Sequence, residues 1–257
     1  MTLRLILALW LGFCAPAFAW GPEGHEIVAA IAAANLTPAA TAKVTALLGP
    51  APMMILDSNW ADEIRADRPE TSAWHYVNVE LGSGAYDARR DCPGGDCVVA
   101  QIVRDEGALG DPRAPRAAKI EALRFLIHFI GDVHQPLHVA DDHDKGGNSH
   151  IVYIRRARTN LHRIWDSDVV TALGPDPVRV AAGIMVGSTA QQKAQLGAGN
   201  PVDWANDSFA LAQKIYAGLP RGGDLPNDYA RRQGTVTRAQ LLKAGLRLAT
   251  ALNRLLR

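Results

Sequence analysis

The chain has little of what marks a specialised protein class. Three cysteines in 257 residues are too few for a disulfide scaffold or a cysteine-rich zinc module. Aromatic residues make up only 6%, and the formal net charge is +1. There is therefore no global basic field to hold a polyanion, and any phosphate recognition has to come from a local site. Apolar runs of membrane-spanning length are missing, as are repeats, charge blocks and Ser/Pro linkers that would divide the chain. What remains is 48% hydrophobic and 21% charged, with 23 Gly and 15 Pro. That composition excludes disordered, collagen-like and low-complexity classes, and the length suffices to bury a real core.

The most apolar stretch lies at the start. Residues 1–19 carry Arg4, an apolar run from Leu5 to Cys14 and the small-x-small ending Ala17-Phe18-Ala19, the layout of a cleaved secretory signal. Cleavage after Ala19 would leave a single domain, 20–257, beginning at Trp20. It would also remove Cys14, and Arg4 with it, so that the formal charge falls from +1 to zero. The expectation is a periplasmic or secreted protein with no membrane anchor. Cys92 and Cys97 then remain in DCPGGDC, where Pro93 and two glycines let the chain turn back. An oxidising compartment predicts a short disulfide-closed loop. A redox or metal pair is the competing reading, but it lacks a third thiol and a redox motif at a helix N-terminus.

Most of the remainder reads as helix: 25–35, 38–48, 57–67, 115–134, 162–173, 176–187, 201–217 and 237–256. Thr37-Pro38 supplies a cap with proline in the first turn. Ile120, Leu123, Leu126, Ile127, Ile130 and Val133 form a broad apolar face. Only 74–80 (WHYVNVE) and 150–155 (HIVYIR) have strand character, and 81–97 and 139–149 read as long loops. The predicted fold class is mainly α, one helical domain with a few short strands.

All eight histidines lie between residues 25 and 162, which suggests one site. In HFIGDVHQPLH, His128 and Asp132 are four apart, so a helix projects both from one face toward a common cation. His138 follows Pro136, which ends or kinks the helix and turns that imidazole elsewhere. LHRIWD repeats the spacing with His162 and Asp166. A single His-x3-Asp pair is more often a surface couple, whereas two such pairs with a histidine between them suit a multinuclear zinc site. His134 reads equally as a ligand or as an orienter of ligands. His143 and His150 receive no chemistry, and the acidic run DDHD reads as a solvated loop. WGPEGH brings Trp20 close to His25, and a freed α-amine with a pKa near 8 can bind metal; a buried tryptophan at the first helix reads equally well. Asp62 in WADEIR and His75 in WHYVN are further candidates.

In this order, WGPEGH, WAD at 60–62, WHYVN at 74–78, CPGGDC, HFIGDVHQPLH, GGN at 146–148 and LHRIWD resemble the secreted zinc-dependent nucleases of the mung bean nuclease type. These are single-strand-preferring nucleases and 3'-nucleotidases on a helical scaffold shared with trizinc phospholipases C. The resemblance implies three zinc ions. Asp62, His75, His128 and Asp132 would hold one, and His138, His162 and Asp166 a second. The Trp20 amine and carbonyl, His25 and a bridging Asp132 would hold the third. It further implies cleavage of RNA and single-stranded DNA to 5'-phosphates by a zinc-bridged hydroxide, with Asp62, Asp132 and Arg65 as catalytic residues. Arg65 stands where relatives often carry Lys; its planar fork suits phosphate. Ser167 stands where they commonly have Asn. Tyr76 is expected to stack a base, with a place in the core as the alternative, and Asn78 to meet a base edge, with a strand-end turn residue as the alternative. The expected partners are single-stranded DNA, RNA and 3'-nucleotides, and the protein is expected to be a monomer. Two other functions compete: a zinc phospholipase C, and a non-catalytic periplasmic zinc-binding protein. Against the second, storage proteins use flexible His-rich tracts, whereas these candidates are spread along the chain.

Overall fold

Among the described residues, three α-helices start on a proline behind a side-chain cap. Thr37 accepts from the Ala40 amide ahead of Pro38–Leu48, Asp176 from Val178 and Arg179 ahead of Pro177–Met185, and Asn200 forms a reciprocal box with Asp203 ahead of Pro201–Ala217. Each cap satisfies amides that the first turn leaves open, while proline gives up only an amide with no helical partner. The computed structural model describes residues 20–257, so the signal-peptide expectation lies outside the described residues.

The architecture is mainly α, as expected. A central helix, Arg116–Asp132, is buried almost all round from Ala122 onward, the pattern of a helix enclosed by others. Its polar residues His128 and Asp132, both with no exposed surface, are therefore in the core. The N-terminal helix Pro22–Ala33 packs on it and on the long C-terminal helix Gly234–Leu255. At the latter crossing, a Cβ on Gly245 would lie 2.5 Å from Ile31 Cβ, so only glycine lets the two backbones approach.

Several expected elements differ. Residues 57–67 form no single helix but successive short turns, Asp57–Asn59, Trp60–Glu63 and Ile64–Ala66. WHYVNVE is not a strand. Pro69–His75 is a 3-10 helix, and only Val79–Glu80 pairs, in parallel with Ala140–Asp141. Its strand-like alternation is real, because Val77 and Val79 are buried while Tyr76 and Asn78 are exposed, yet the extended chain finds few ladder partners. Ile151–Ile154 is a strand, and its hairpin partner Ala157–Asn160 had no apolar pattern to betray it. Stretch 162–173 is broken into Leu161–Arg163, a π turn at Ile164–Asp168, and Val169–Thr171. Helix Val98–Gly110, unassigned from sequence, packs along the central helix and buries Val98, Val99, Ile102 and Leu109. Cys92 and Cys97 are disulfide-bonded, and Gln101 ties the loop to that helix by donating to the Gly95 carbonyl at 2.7 Å. Among the described residues, no single helix is long and apolar enough to cross a membrane.

Candidate metal centre

The i, i+4 spacing of His128 and Asp132 does what the sequence implied. Their side chains meet, with Nε2 3.5 Å from Oδ2, at the buried end of the central helix. The His25 ring stacks on His128 with centroids 3.8 Å apart. That approach needs a glycine at 131, since a Cβ there would lie 2.8 Å from His25 Nδ1. Asp132 sits between the imidazoles: Oδ1 is 3.4 Å from His25 Nε2, and Oδ2 is 3.0 Å from His75 Nδ1. Asp62, on the Trp60–Glu63 turn, lies 3.6 Å from both His75 and His128 and pairs with Arg65 at 3.1 Å.

Beyond Pro136 the short turn Pro136–His138 presents His138, whose ring stacks on that of His162 at 4.9 Å. Asp166 faces both, 3.3 Å from His162 Nε2 and 3.9 Å from His138 Nε2. Gln135 donates to Asp166 Oδ1 at 2.6 Å. The Gly21 amide donates to the Asp166 backbone carbonyl at 2.7 Å, which brings the start of the described chain to this group. Trp20 is fully buried, and Gly24 leaves it room: a Cβ on Gly24 would lie 2.6 Å from Trp20 Cβ.

Backbone carbonyls decide which ring nitrogen is left over. His128 Nδ1–H donates to Ser58 at 2.8 Å, His138 Nδ1–H to His75 at 2.8 Å, and His162 Nδ1–H to Gly146 at 2.6 Å. Each bond puts the proton on Nδ1 and leaves an Nε2 lone pair. The Nε2 atoms of His128, His138 and His25, together with Asp132 Oδ1, are buried without a hydrogen-bond partner. Gly146, at φ +61°, has no room for a Cβ against the Leu137 carbonyl, so the bond to His162 depends on glycine. Burial first, and neighbouring imidazoles second, hold His25 well below the usual imidazole range, and His75 likewise. His128 and His138 are also lowered, chiefly by burial. Burial raises Asp132 and Asp166 well above the usual carboxylate range. Neutral imidazoles and clustered carboxylates deprived of water are groups that a cation would satisfy.

Among the described residues, three sets of donor atoms lie close enough together to hold one ion each: His25, Asp62 and His128; His75, His128 and Asp132; His138, His162 and Asp166. They include every expected ligand except Trp20. His134 is in none. Its Nδ1–H donates to the Ile130 carbonyl at 2.6 Å, and Arg247 donates to its Nε2 at 2.8 Å. Burial and then Arg247 push it down to about 3. With both nitrogens used, His134 braces the end of the central helix against the C-terminal helix. His143 is exposed beside Glu80, and His150 is 3.4 Å from Asp144. Tyr76 is 39% exposed, which removes the alternative that it is core; Asn78 shares its exposed face. Sequence reasoning missed the orienting roles of Ser58, Gln135 and Gly146. Gln135 and Gly146 stand inside quoted motifs, whereas the Ser58 carbonyl has no sequence signal.

The profile of the S1/P1 Nuclease family matches residues 20–257. Endonuclease 2 of Arabidopsis thaliana is 31% identical, with 99% of this chain and 97% of that protein covered. Nuclease S1 of Aspergillus oryzae is 29% identical, with 96% of each chain covered. Nuclease P1 of Penicillium citrinum is 33% identical over 58% of this chain and 57% of its own length.

Proposed function

The chain belongs to the S1/P1 nuclease family, and from that premise we propose that it is an exported trizinc phosphodiesterase. In this reading residues 1–19 are removed, the mature single domain 20–257 is a monomer, and it acts in the periplasm or outside the cell. It cleaves RNA and single-stranded DNA to 5'-phosphate products and removes 3'-phosphates from nucleotides. The observation that carries the reading is Asp132: one buried carboxylate turns Oδ1 toward His25 and Oδ2 toward His75 and His128, the disposition a bridging ligand needs.

The donor set fits zinc, because imidazole lone pairs left without partners and carboxylates are the ligands that zinc takes. Asp62, His75, His128 and Asp132 would hold one ion, His138, His162 and Asp166 another, and the Trp20 amine and carbonyl, His25 and Asp132 the third. When bound, zinc supplies Lewis acidity, making water nucleophilic at neutral pH and offsetting phosphate charge. The protein's own groups do the rest. Arg65, held 3.1 Å from Asp62, brings a planar guanidinium to the site, whose fixed charge suits a phosphate oxygen as negative charge grows. Tyr76 presents a ring for stacking, and Asn78 an amide for a base edge. Gln135 and the Gly146 carbonyl hold Asp166 and His162 in the required orientation.

The test is elemental analysis of the processed protein together with digestion of single-stranded DNA, duplex DNA, RNA, a 3'-nucleotide and phosphatidylcholine. Three zincs per chain, a single-strand bias and phosphate release from the 3'-nucleotide are expected. Hydrolysis of the phospholipid alone, or zinc binding with no hydrolysis, would overturn the reading.

A further inference from the structure

Beyond the centre lies a concentration of positive charge that neither the metal groups nor the Tyr76 face uses. The hairpin of Ile151–Ile154 and Ala157–Asn160 turns through Arg155-Arg156, because Ile154 pairs with Ala157. Arg155 and Arg156 have φ of 52° and 68°, so both central turn positions are left-handed, places where Gly, Asn and Asp are favoured. Arg158 follows on the second strand, and Arg163 lies just past the strand's end. All four are exposed. Arg163 pairs with Asp168 at 3.5 Å, whereas Arg155, Arg156 and Arg158 have no carboxylate within 4.0 Å among the described residues. In a chain of net charge +1 this is a local basic feature.

Its place in the fold gives it a use. The second strand runs straight into the turn that carries His162, and Leu161 closes the hairpin base by donating to the His150 carbonyl at 2.9 Å. His162 comes four positions after Arg158, which keeps their Cα atoms within about 14 Å. The hairpin and the Arg163–Asp168 pair line a cavity of about 500 Å³, to which Ile151 and Ile154 contribute apolar surface and Arg158, Asn160, Arg163 and Asp168 polar groups. Apolar surface beside the unpaired Arg158 guanidinium, with Arg155 and Arg156 at the adjoining turn, suits the sugars and phosphates of a flexible strand. The hairpin carries no exposed large apolar side chain of the kind that seats an interfacial segment in lipid.

We propose that the arginine hairpin is an extended-substrate subsite, in which Arg155, Arg156 and Arg158 bind backbone phosphates of single-stranded nucleic acid outside the scissile bond. The inference rests on the nuclease reading for its connection to catalysis, though binding can be measured apart from it. The variant Arg155→Asn/Arg156→Gly/Arg158→Thr removes the three charges and places Asn-Gly, the pair this turn prefers, at its centre, so folding is favoured. On the zinc-loaded enzymes, the Kd of a cleavage-resistant phosphorothioate strand of about 20 nucleotides is measured against salt, with an expected loss of about 2 from the log–log slope at roughly 0.7 per phosphate contact. KM for the cleavable strand should rise about tenfold or more at moderate salt, while turnover of a 3'-nucleotide stays unchanged. Equal Kd and slope in the two proteins would overturn the subsite. If the wild type cleaves no nucleic acid, the nuclease reading fails, and the binding arm still decides the hairpin: salt-dependent affinity lost in the variant supports it, and no affinity in the wild type overturns it. Loss of binding to phosphatidylglycerol vesicles, with nucleic-acid affinity unchanged, would overturn it in favour of a membrane contact.

Discussion

His138 is held in place by the backbone of His75: its Nδ1–H donates to the His75 carbonyl at 2.8 Å. The His75 side chain meanwhile faces Asp132 and Asp62. One residue therefore serves the first donor groups with its ring and orients the other with its carbonyl. Displacing it should disturb both, which is why the predictions below read metal content alongside rate.

Asp132→Ala is expected to be the most damaging single change, because Asp132 contacts imidazoles from three segments, those of His25, His75 and His128. Zinc content should drop by more than one ion, and activity should fall by about 100-fold or more, beyond the usual cost of losing a group that merely orients a ligand. Elemental analysis and kcat/KM on single-stranded DNA check this. Three retained zincs with normal turnover would remove the bridge.

An N-terminal extension ahead of Trp20 should have a large effect, because it changes the proposed ligand itself. A form beginning Met-Trp20 turns the amine into an amide, a poor zinc ligand, although Trp20 can still bury its indole beside Gly24. The extended protein should melt like the processed one once both are stripped of zinc, yet bind one zinc fewer. Proteolytic removal of the extension followed by zinc addition should restore both the ion and the rate. Full loading of the extended form would assign Trp20 to the core alone.

Tyr76→Ala should act on binding. Losing one base stack of about 1–3 kcal/mol predicts a KM for polynucleotide some 5- to 150-fold higher. Zinc content should not change. The melting temperature should also hold, since the ring is 39% exposed; a large drop with KM unaltered would make Tyr76 a packing residue.

A pH effect on stability should come from Asp105, away from the donor groups. Burial pushes its carboxyl from the ordinary 3.8 up to about 6 against the pull of Arg104, which is 2.8 Å from Oδ1, while Oδ2 has no hydrogen-bond partner. With the folded value above the unfolded one, the contribution to stability is fully present below pH 3.8 and is lost as pH rises through about 6. Relative to Asp105→Asn, the wild type should therefore lose roughly 2–3 kcal/mol between those limits, at 1.36 kcal/mol per pKa unit. Denaturation midpoints of the two proteins across this range test it. A difference that does not vary with pH would show that the carboxyl titrates alike folded and unfolded.

Periodicity and local spacing carried the sequence reading a long way. The i, i+4 pairs His128/Asp132 and His162/Asp166 share faces because the helix repeat requires it, and the motif order pointed to the family before any fold was known. The mainly α class, the apolar face of Arg116–Asp132 and the Cys92–Cys97 loop were legible for the same reason: each depends on residues close in the chain. WHYVNVE misled because burial alternates in any extended segment, whether or not a neighbouring strand is there to pair with it.

Tertiary structure alone decided which imidazoles keep a lone pair. His134 and His138 are close neighbours in one motif and both buried, yet Arg247, 113 residues beyond His134, takes up the Nε2 of the first, while the His75 carbonyl fixes the tautomer of the second and leaves its Nε2 unspent. Ser58, His75 and Gly146 orient three rings through backbone oxygens, which every residue possesses. No letter in the sequence distinguishes a carbonyl that will face a histidine from one that will not. Residue types and their spacing set which side chains could bind a cation; long-range packing set which nitrogens are left to do so.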